Sequence, residues 1–379
     1  MPQWAWVWQR VWTPAVGAAV ERSDFDGLLV LAAEVSWSGS AADVHVVELD
    51  DPLPVGSAVV VRVEVPPEDV DPTDVLVPLV VSLFEAHPEA VGLQLDMDLP
   101  TRRLREYPAW LSVVRERLAG RWLEVTTLPT WIEARALIDV AEAVDRTVLQ
   151  VHWLDPAAPD HLLSPLAVEH VEAMAGLGQP FRVGLPTCGY AVALDSAGSL
   201  VAVAAEQGTP AIPPGGRVAS LLPDPGAVAS LVAGWTKDRP ELLRGLVWFR
   251  LPTAQDQRAW PSQTLAAVRQ GRVPVARAEP IARSPASVRP RDKRLWDIVL
   301  RNTGDASLPL PALEVDGRVR MAEGVGVYAW SADRGQFLPS PKAAPLPPSS
   351  ELVIGWLRTA SDSAEPPHVL SVSPSVDRP

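Results

Sequence analysis

Apolar runs four to eight residues long recur through roughly the first 250 positions, and most are too continuous to show a polar face. Such runs mark strands buried on both sides, as in a parallel sheet covered by helices. The pattern predicts eight strands: Trp4–Trp8, Leu28–Val35, Ala58–Val65, Val91–Leu95, Leu123–Thr127, Val148–His152, Arg182–Pro186 and Leu246–Arg250. Between them the period changes. Leu104, Tyr107, Leu111, Val114 and Leu118 repeat at helical spacing, with Pro108 suited to a first turn. Thr130 and Glu133 have the spacing of a capping box, followed by Leu137, Val140 and Val144 on one face. Asp71-Pro72 opens another helix, which Pro78 should shorten or kink. Further helices are expected near Pro165–Gly178, Gly226–Thr236 and Ser262–Gly271.

Strand and helix alternating eight times is the order of an α/β protein of the (β/α)8 TIM barrel type. Two stretches depart from it: Asp43–Leu49 has the pattern of an extra strand, and Ala191–Ala205 that of a hairpin turning at Asp195–Ser199. From residue 273 to 294 the periodicity stops and Pro and Arg alternate (Pro274, Arg277, Pro280, Arg283, Pro285, Arg289, Pro290, Arg291), which predicts an extended linker. Short strands near Trp296–Arg301, Val325–Trp330, Glu351–Leu357 and Val369–Val372 then predict a small β-sandwich over 295–379, after a barrel over 1–272.

Composition narrows the function. A net charge of −13 argues against a nucleic-acid partner, because phosphates would be repelled. Cys188 is the single cysteine, so no internal disulfide forms. Six histidines with no His-x-x-x-His or Cys-x-x-Cys spacing give no reason to expect a metal, and no Gly-rich phosphate loop or other cofactor signature is present. No apolar run reaches the roughly 20 residues that span a bilayer. The opening residues lack a basic start and a long apolar stretch, so the sequence as it stands reads as cytoplasmic, or as exported with its leader removed. Nothing in it indicates an oligomeric state. Fifteen Trp against three Tyr and five Phe is a bias that suits core filling, and also a surface that stacks on sugar rings.

Barrel enzymes carry their chemistry at the C-terminal ends of the strands. There the chain offers Glu34, Arg62, Gln94, Asp96, Asp98, His152, Trp153, Tyr190, Trp248 and Arg250. Gln94, Asp96 and Asp98 alternate with apolar residues and so share one face. Acids pointing into a barrel are costly unless used or paired. One reading makes Asp98 a general acid tuned by Asp96; the other ties them to Arg62 or Arg250 as an internal ion pair. His152 serves equally well as a hydrogen-bonded core histidine.

Val91-Gly92-Leu93-Gln94-Leu95-Asp96-Met97-Asp98 resembles the strand-four motif of family 18 glycoside hydrolases, the chitinase-like barrels. Gly184-Leu185-Pro186-Thr187-Cys188-Gly189-Tyr190 and Gly245-Leu246-Val247-Trp248 are similar to that family's seventh and eighth strand ends. The resemblance implies a carbohydrate-active hydrolase. In it Asp98 protonates the leaving oxygen and Asp96 orients it; Glu34, Arg62, Gln94, His152, Tyr190 and Arg250 bind substrate, and Trp153 and Trp248 stack on sugar rings. Asp98 stands where the family has Glu and Gln94 where it has Asp, which leaves open a barrel that binds glycans without cleaving them, or a scaffold for another protein. The run Trp8-Gln9-Arg10-Val11-Trp12-Thr13-Pro14, with Gln94-Leu95-Asp96 and Leu185-Pro186-Thr187, also resembles a bacterial family defined only as a domain of unknown function.

Overall fold

The computed structural model describes residues 1–49, 52–152, 162–205, 208–285, 294–316, 319–360 and 366–372. It falls into two compact units, one of Met1–Asp224 with Ser230–Trp260, the other of Pro225–Ala229 with Pro261–Pro379.

In the first unit the strands are β1 (Gln3–Val7), β2 (Gly27–Ser38), β3 (Ala41–Val46), β4 (Ala58–Val63), β5 (Gly92–Asp96), β6 (Trp122–Thr127), β7 (Arg146–Gln150), β8 (Phe181–Pro186), β9 (Tyr190–Leu194), β10 (Leu200–Ala205), β11 (Arg217–Leu221) and β12 (Leu243–Phe249). Eight of them run parallel in the order β1-β12-β8-β7-β6-β5-β4-β2, and β1 pairs with β2 to close the ring. This is the expected (β/α)8 barrel. Helices α1 (Pro14–Glu21), α2 (Thr73–Ala86), α3 (Tyr107–Arg115), α4 (Ala136–Glu142), α5 (Ala167–Ala175) and α6 (Pro225–Lys237) follow strands in turn, and α7 (Ser262–Arg269) opens the longer segment of the second unit.

Both irregular stretches are strands. β3 pairs antiparallel with β2, and β9 and β10 form the hairpin after β8, its turn held by Asp195 Oδ1 accepting from the amides of Ala197 and Ser199. A third strand, β11, pairs on the other side of β9, which the sequence pattern did not announce.

Two helix expectations change. Pro78 neither shortens nor ends α2, which continues to Ala86 with Pro78 on its exposed face. The Thr130 capping box does not form: Thr130 sits in a 3-10 turn and α4 begins only at Ala136. Trp131, fully buried with its indole donating to the Leu99 carbonyl, anchors that turn instead.

The second unit is a β-sandwich. Its strands are β13 (Ala278–Arg283), β14 (Leu295–Asn302), β15 (Ala312–Asp316), β16 (Val319–Gly324), β17 (Tyr328–Ser331), β18 (Gln336–Pro339), β19 (Glu351–Thr359) and β20 (His368–Val372). They form two four-stranded sheets, β13-β14-β19-β16 and β17-β18-β15-β20. Trp296, Ile298, Leu313, Phe337, Ile354 and Leu357 fill the core from both sheets. Part of the stretch expected as a linker is thus a strand: β13 pairs with β14 along its whole length, with Pro280 accommodated at the sheet edge. Arg289, Pro290 and Arg291 lie outside the described residues.

Candidate functional site

The barrel interior is built in layers by the two-residue period of its strands. Trp4, Trp6 and Trp8 of β1 and its extension point inward and dominate the filling. Two glycines make room for this much indole. A Cβ on Gly92 would lie 2.1 Å from the Trp122 ring, and one on Gly184 would lie 3.0 Å from Trp6.

Below the mouth lies a buried polar layer. The Trp6 indole donates to Gln94 Oε1 at 2.5 Å, Gln94 Nε2 donates to Glu124 at 2.8 Å, and Glu124 also accepts from Arg146 Nε at 2.7 Å. Gln94 and Glu124 are wholly inaccessible. Gln94, expected to touch substrate, is therefore part of the barrel floor, because it sits one layer beneath the strand ends.

At the mouth one arginine holds both acids. Arg62 Nη1 donates to Asp96 Oδ2 at 2.6 Å and Arg62 Nη2 to Asp98 Oδ2 at 2.8 Å. Asp96 is buried; its Oδ1 accepts from Thr126 Oγ1 at 2.6 Å and from Gln150 Nε2 at 3.4 Å. Burial pushes the Asp96 carboxyl above the usual carboxylate range; the Arg62 guanidinium opposes that shift and the Asp98 charge adds to it. Burial works against charge on Arg62, yet the two carboxylates together raise its pKa. Asp98 lies just past the end of β5, with its side chain 40% exposed. Its Oδ1 is nonetheless covered and has no hydrogen-bond partner among the described residues. The Tyr107 hydroxyl is buried and equally unpartnered, and burial, with the charges of Asp96 and Asp98, raises its pKa. Periodicity had marked Tyr107 only as a packing residue.

The other expected residues divide. The His152 ring stacks on Phe249 with centroids 5.3 Å apart, and its Nδ1 donates to the Gly184 carbonyl at 3.1 Å. Burial drives its pKa down to about 4, so it is neutral at physiological pH. Glu34 accepts from Arg10 Nε and Nη2 at 2.5 and 2.7 Å. Arg250 is buried and donates from Nη2 to Asp256 at 2.5 Å, while Tyr190 stands nearby with its phenol pushed up to about 12 by burial. Trp248 is misplaced in the sequence reading: it is fully buried on the outer face of β12, and its indole donates to Gln3 Oε1 at 3.0 Å. Alternation on β12 puts Val247 and Phe249, not Trp248, inside. Trp153 lies outside the described residues.

Two adjoining hollows open at the strand ends. Trp6, Trp8, Asp96, Thr126, Gln150 and Phe249 line the first. Trp8 and Phe249 also border the second, a cavity of about 230 Å³ completed by Arg10, Cys188, Gly189, Tyr190, Arg250, Asp256 and Arg258. Phe249, Thr126, Asp256 and Arg258 escaped the sequence reading. Register could have found Phe249; nothing local singles out the loop residues Asp256 and Arg258. Among the described residues, no three His, Cys, Asp or Glu side chains converge as a metal site requires, and no helix is long and apolar enough to cross a membrane.

A family model described as "Domain of unknown function (DUF3142)" matches residues 57–254, a little over half of the chain. The chain belongs to this family. The matched stretch of the DUF3142 sequence includes Arg62, Asp96, Asp98, Gln150, His152, Phe249 and Arg250, that is, most of the mouth described above. No curated protein matches the chain in sequence. Among solved structures, the DUF3142 chain is similar to chitinase ChiA74 from Bacillus thuringiensis at 10% identity and a TM-score of 0.46, over 97% of this chain and 100% of that one. Chitinase ChiW from Paenibacillus matches at 13% identity and a TM-score of 0.49, over 97% of this chain and 53% of that one. The spore cortex-lytic enzyme SleL from Bacillus cereus matches at 12% identity and a TM-score of 0.47, over 72% and 74% of the two chains.

Proposed function

We propose that the mouth of this barrel is a binding groove for a carbohydrate, and that Asp96 and Asp98 act there as hydrogen-bonding groups bridged by Arg62, not as proton donors. The observation that carries this reading is the Arg62 fork across both acids. A general acid must hold a proton near neutral pH, and a guanidinium bound to its oxygen favours the ionised form. Trp8 and Phe249 offer apolar faces suited to a sugar ring, and Asp98, Gln150 and Thr126 offer partners for its hydroxyls. The resemblance of the strand ends to family 18 barrels adds support from the sequence.

A second reading, hydrolysis of a glycosidic bond, is favoured by the covered, unpartnered Oδ1 of Asp98 and by the raised pKa of Asp96. In that reading Asp98 approaches the scissile oxygen and Asp96 tunes it.

Titration calorimetry with a panel of soluble oligosaccharides tests the location of the groove. Trp8→Ala should weaken binding by about 1 kcal/mol, or roughly fivefold, through lost ring contact. Trp248→Phe should leave affinity unchanged, since Trp248 is fully buried and lines neither hollow. Normal affinity in Trp8→Ala, or loss confined to Trp248→Phe, contradicts the placement.

A further inference from the structure

The two hollows at the strand ends differ in size enough to decide where a ring can sit. The one beside Asp96, Thr126 and Gln150 has a volume of about 20 Å³. That is room for little more than one water molecule, which takes roughly 10 to 15 Å³. The one beside Cys188 and Tyr190 has about 230 Å³. An apolar cavity of roughly 150 Å³ is already large enough to hold benzene. Trp8 and Phe249 border both hollows, so a ligand in one reaches the other. Trp8, Cys188, Tyr190 and Phe249 all line the larger hollow, and each keeps part of its surface exposed. The wall that carries Cys188 is held by backbone. The Thr187 amide donates to the Phe249 carbonyl at 2.7 Å, the Gly189 amide to the Arg258 carbonyl at 2.8 Å, and the Trp260 amide to the Thr187 carbonyl at 2.9 Å. These bonds tie the chain after β8 to the chain after β12 on both sides of Cys188, so the wall is preformed. Burial pushes the Cys188 thiol up, which keeps it a neutral, soft apolar contact.

Resting on the groove reading above, we infer that the larger hollow seats one pyranose ring of the saccharide against Trp8, Cys188 and Tyr190, and that an exocyclic hydroxyl of that ring enters the smaller hollow beside Asp96, Thr126 and Gln150. Flat apolar walls suit the C–H face of a sugar ring, and a few convergent polar groups suit a single hydroxyl. A ring many times the size of a water molecule does not fit beside Asp96, whereas a hydroxyl does. The acids then meet the edge of the ligand and not its ring.

The test uses the full chain and a panel of soluble trisaccharides, with binding followed by tryptophan fluorescence. Cys188→Met lengthens a side chain into the larger hollow and should weaken the best binder of the panel about tenfold. Gln150→Ala removes one hydrogen-bonding group from the smaller hollow and should weaken it about threefold. Tyr190→Ala takes away part of the ring wall and should cost about fivefold; it decides the matter should Cys188→Met not fold. Unchanged affinity in both Cys188→Met and Tyr190→Ala, with a large loss in Gln150→Ala, places the ring over the acids; it overturns the inference and leaves the groove standing. Failure of every trisaccharide to bind the wild type removes the groove and the inference together.

Discussion

At the scale of single residues, the two acids on β5 show how far context governs chemistry. Asp96 and Asp98 were legible in the sequence as acids on one strand face, and Arg62 was legible as a neighbour. Which state they adopt depends on two hydrogen bonds from one guanidinium across 34 and 36 residues of chain, and no local pattern encodes that. Trp248 and Phe249 make the opposite point. Both were visible, and a shift of one residue in register separates a core indole from a groove wall. His152 yields a pH prediction. Its folded pKa of about 4 lies below the ordinary value of 6.5, so the unfolded chain binds more protons between those limits. Stability contributed by neutral His152 is then present above about pH 6.5 and is lost as pH falls toward 4. Melting temperature should drop through that window in the wild type, and the drop should be smaller in His152→Gln. An identical drop in both would assign the acid sensitivity to other groups.

Elements were easier to read than their edges. All eight barrel strands follow from continuous apolar runs, because burial on both faces leaves so strong a signature. The short strands β13, β15, β16 and β18 of the sandwich were missed, since three of them are edge strands or half-exposed and two begin or end in Pro or Gly. The indole-rich filling of the barrel depends on element-level fit. Gly92 on β5 exists to admit Trp122 from β6, its Cα partner in register. Gly92→Ala should therefore cost about 2 kcal/mol, because the added methyl overlaps the ring and the packed interior has little room to yield. Urea unfolding measures this directly, and a loss under about 0.5 kcal/mol would mean that the layer repacks freely.

At the scale of the molecule, an acidic chain folds into a barrel unit and a sandwich unit, and its mouth gathers arginine and tryptophan in one place. The barrel class was readable from strand and helix order; the site was readable as a ring of strand ends, but its loop contributions, Asp256 and Arg258, were not. The account rests on Arg62 bridging both acids, so that the groove binds a saccharide without cleaving it. The most direct measurement follows the release of reducing ends from a bound oligosaccharide by the wild type and by Asp98→Asn, with affinity measured on the same samples. The account predicts no release above the spontaneous rate by either protein, and affinities that agree within about threefold, since the amide keeps the shape of the carboxyl group. Turnover by the wild type that falls about a hundredfold in Asp98→Asn, with binding retained, would contradict it and make Asp98 the general acid of a hydrolase.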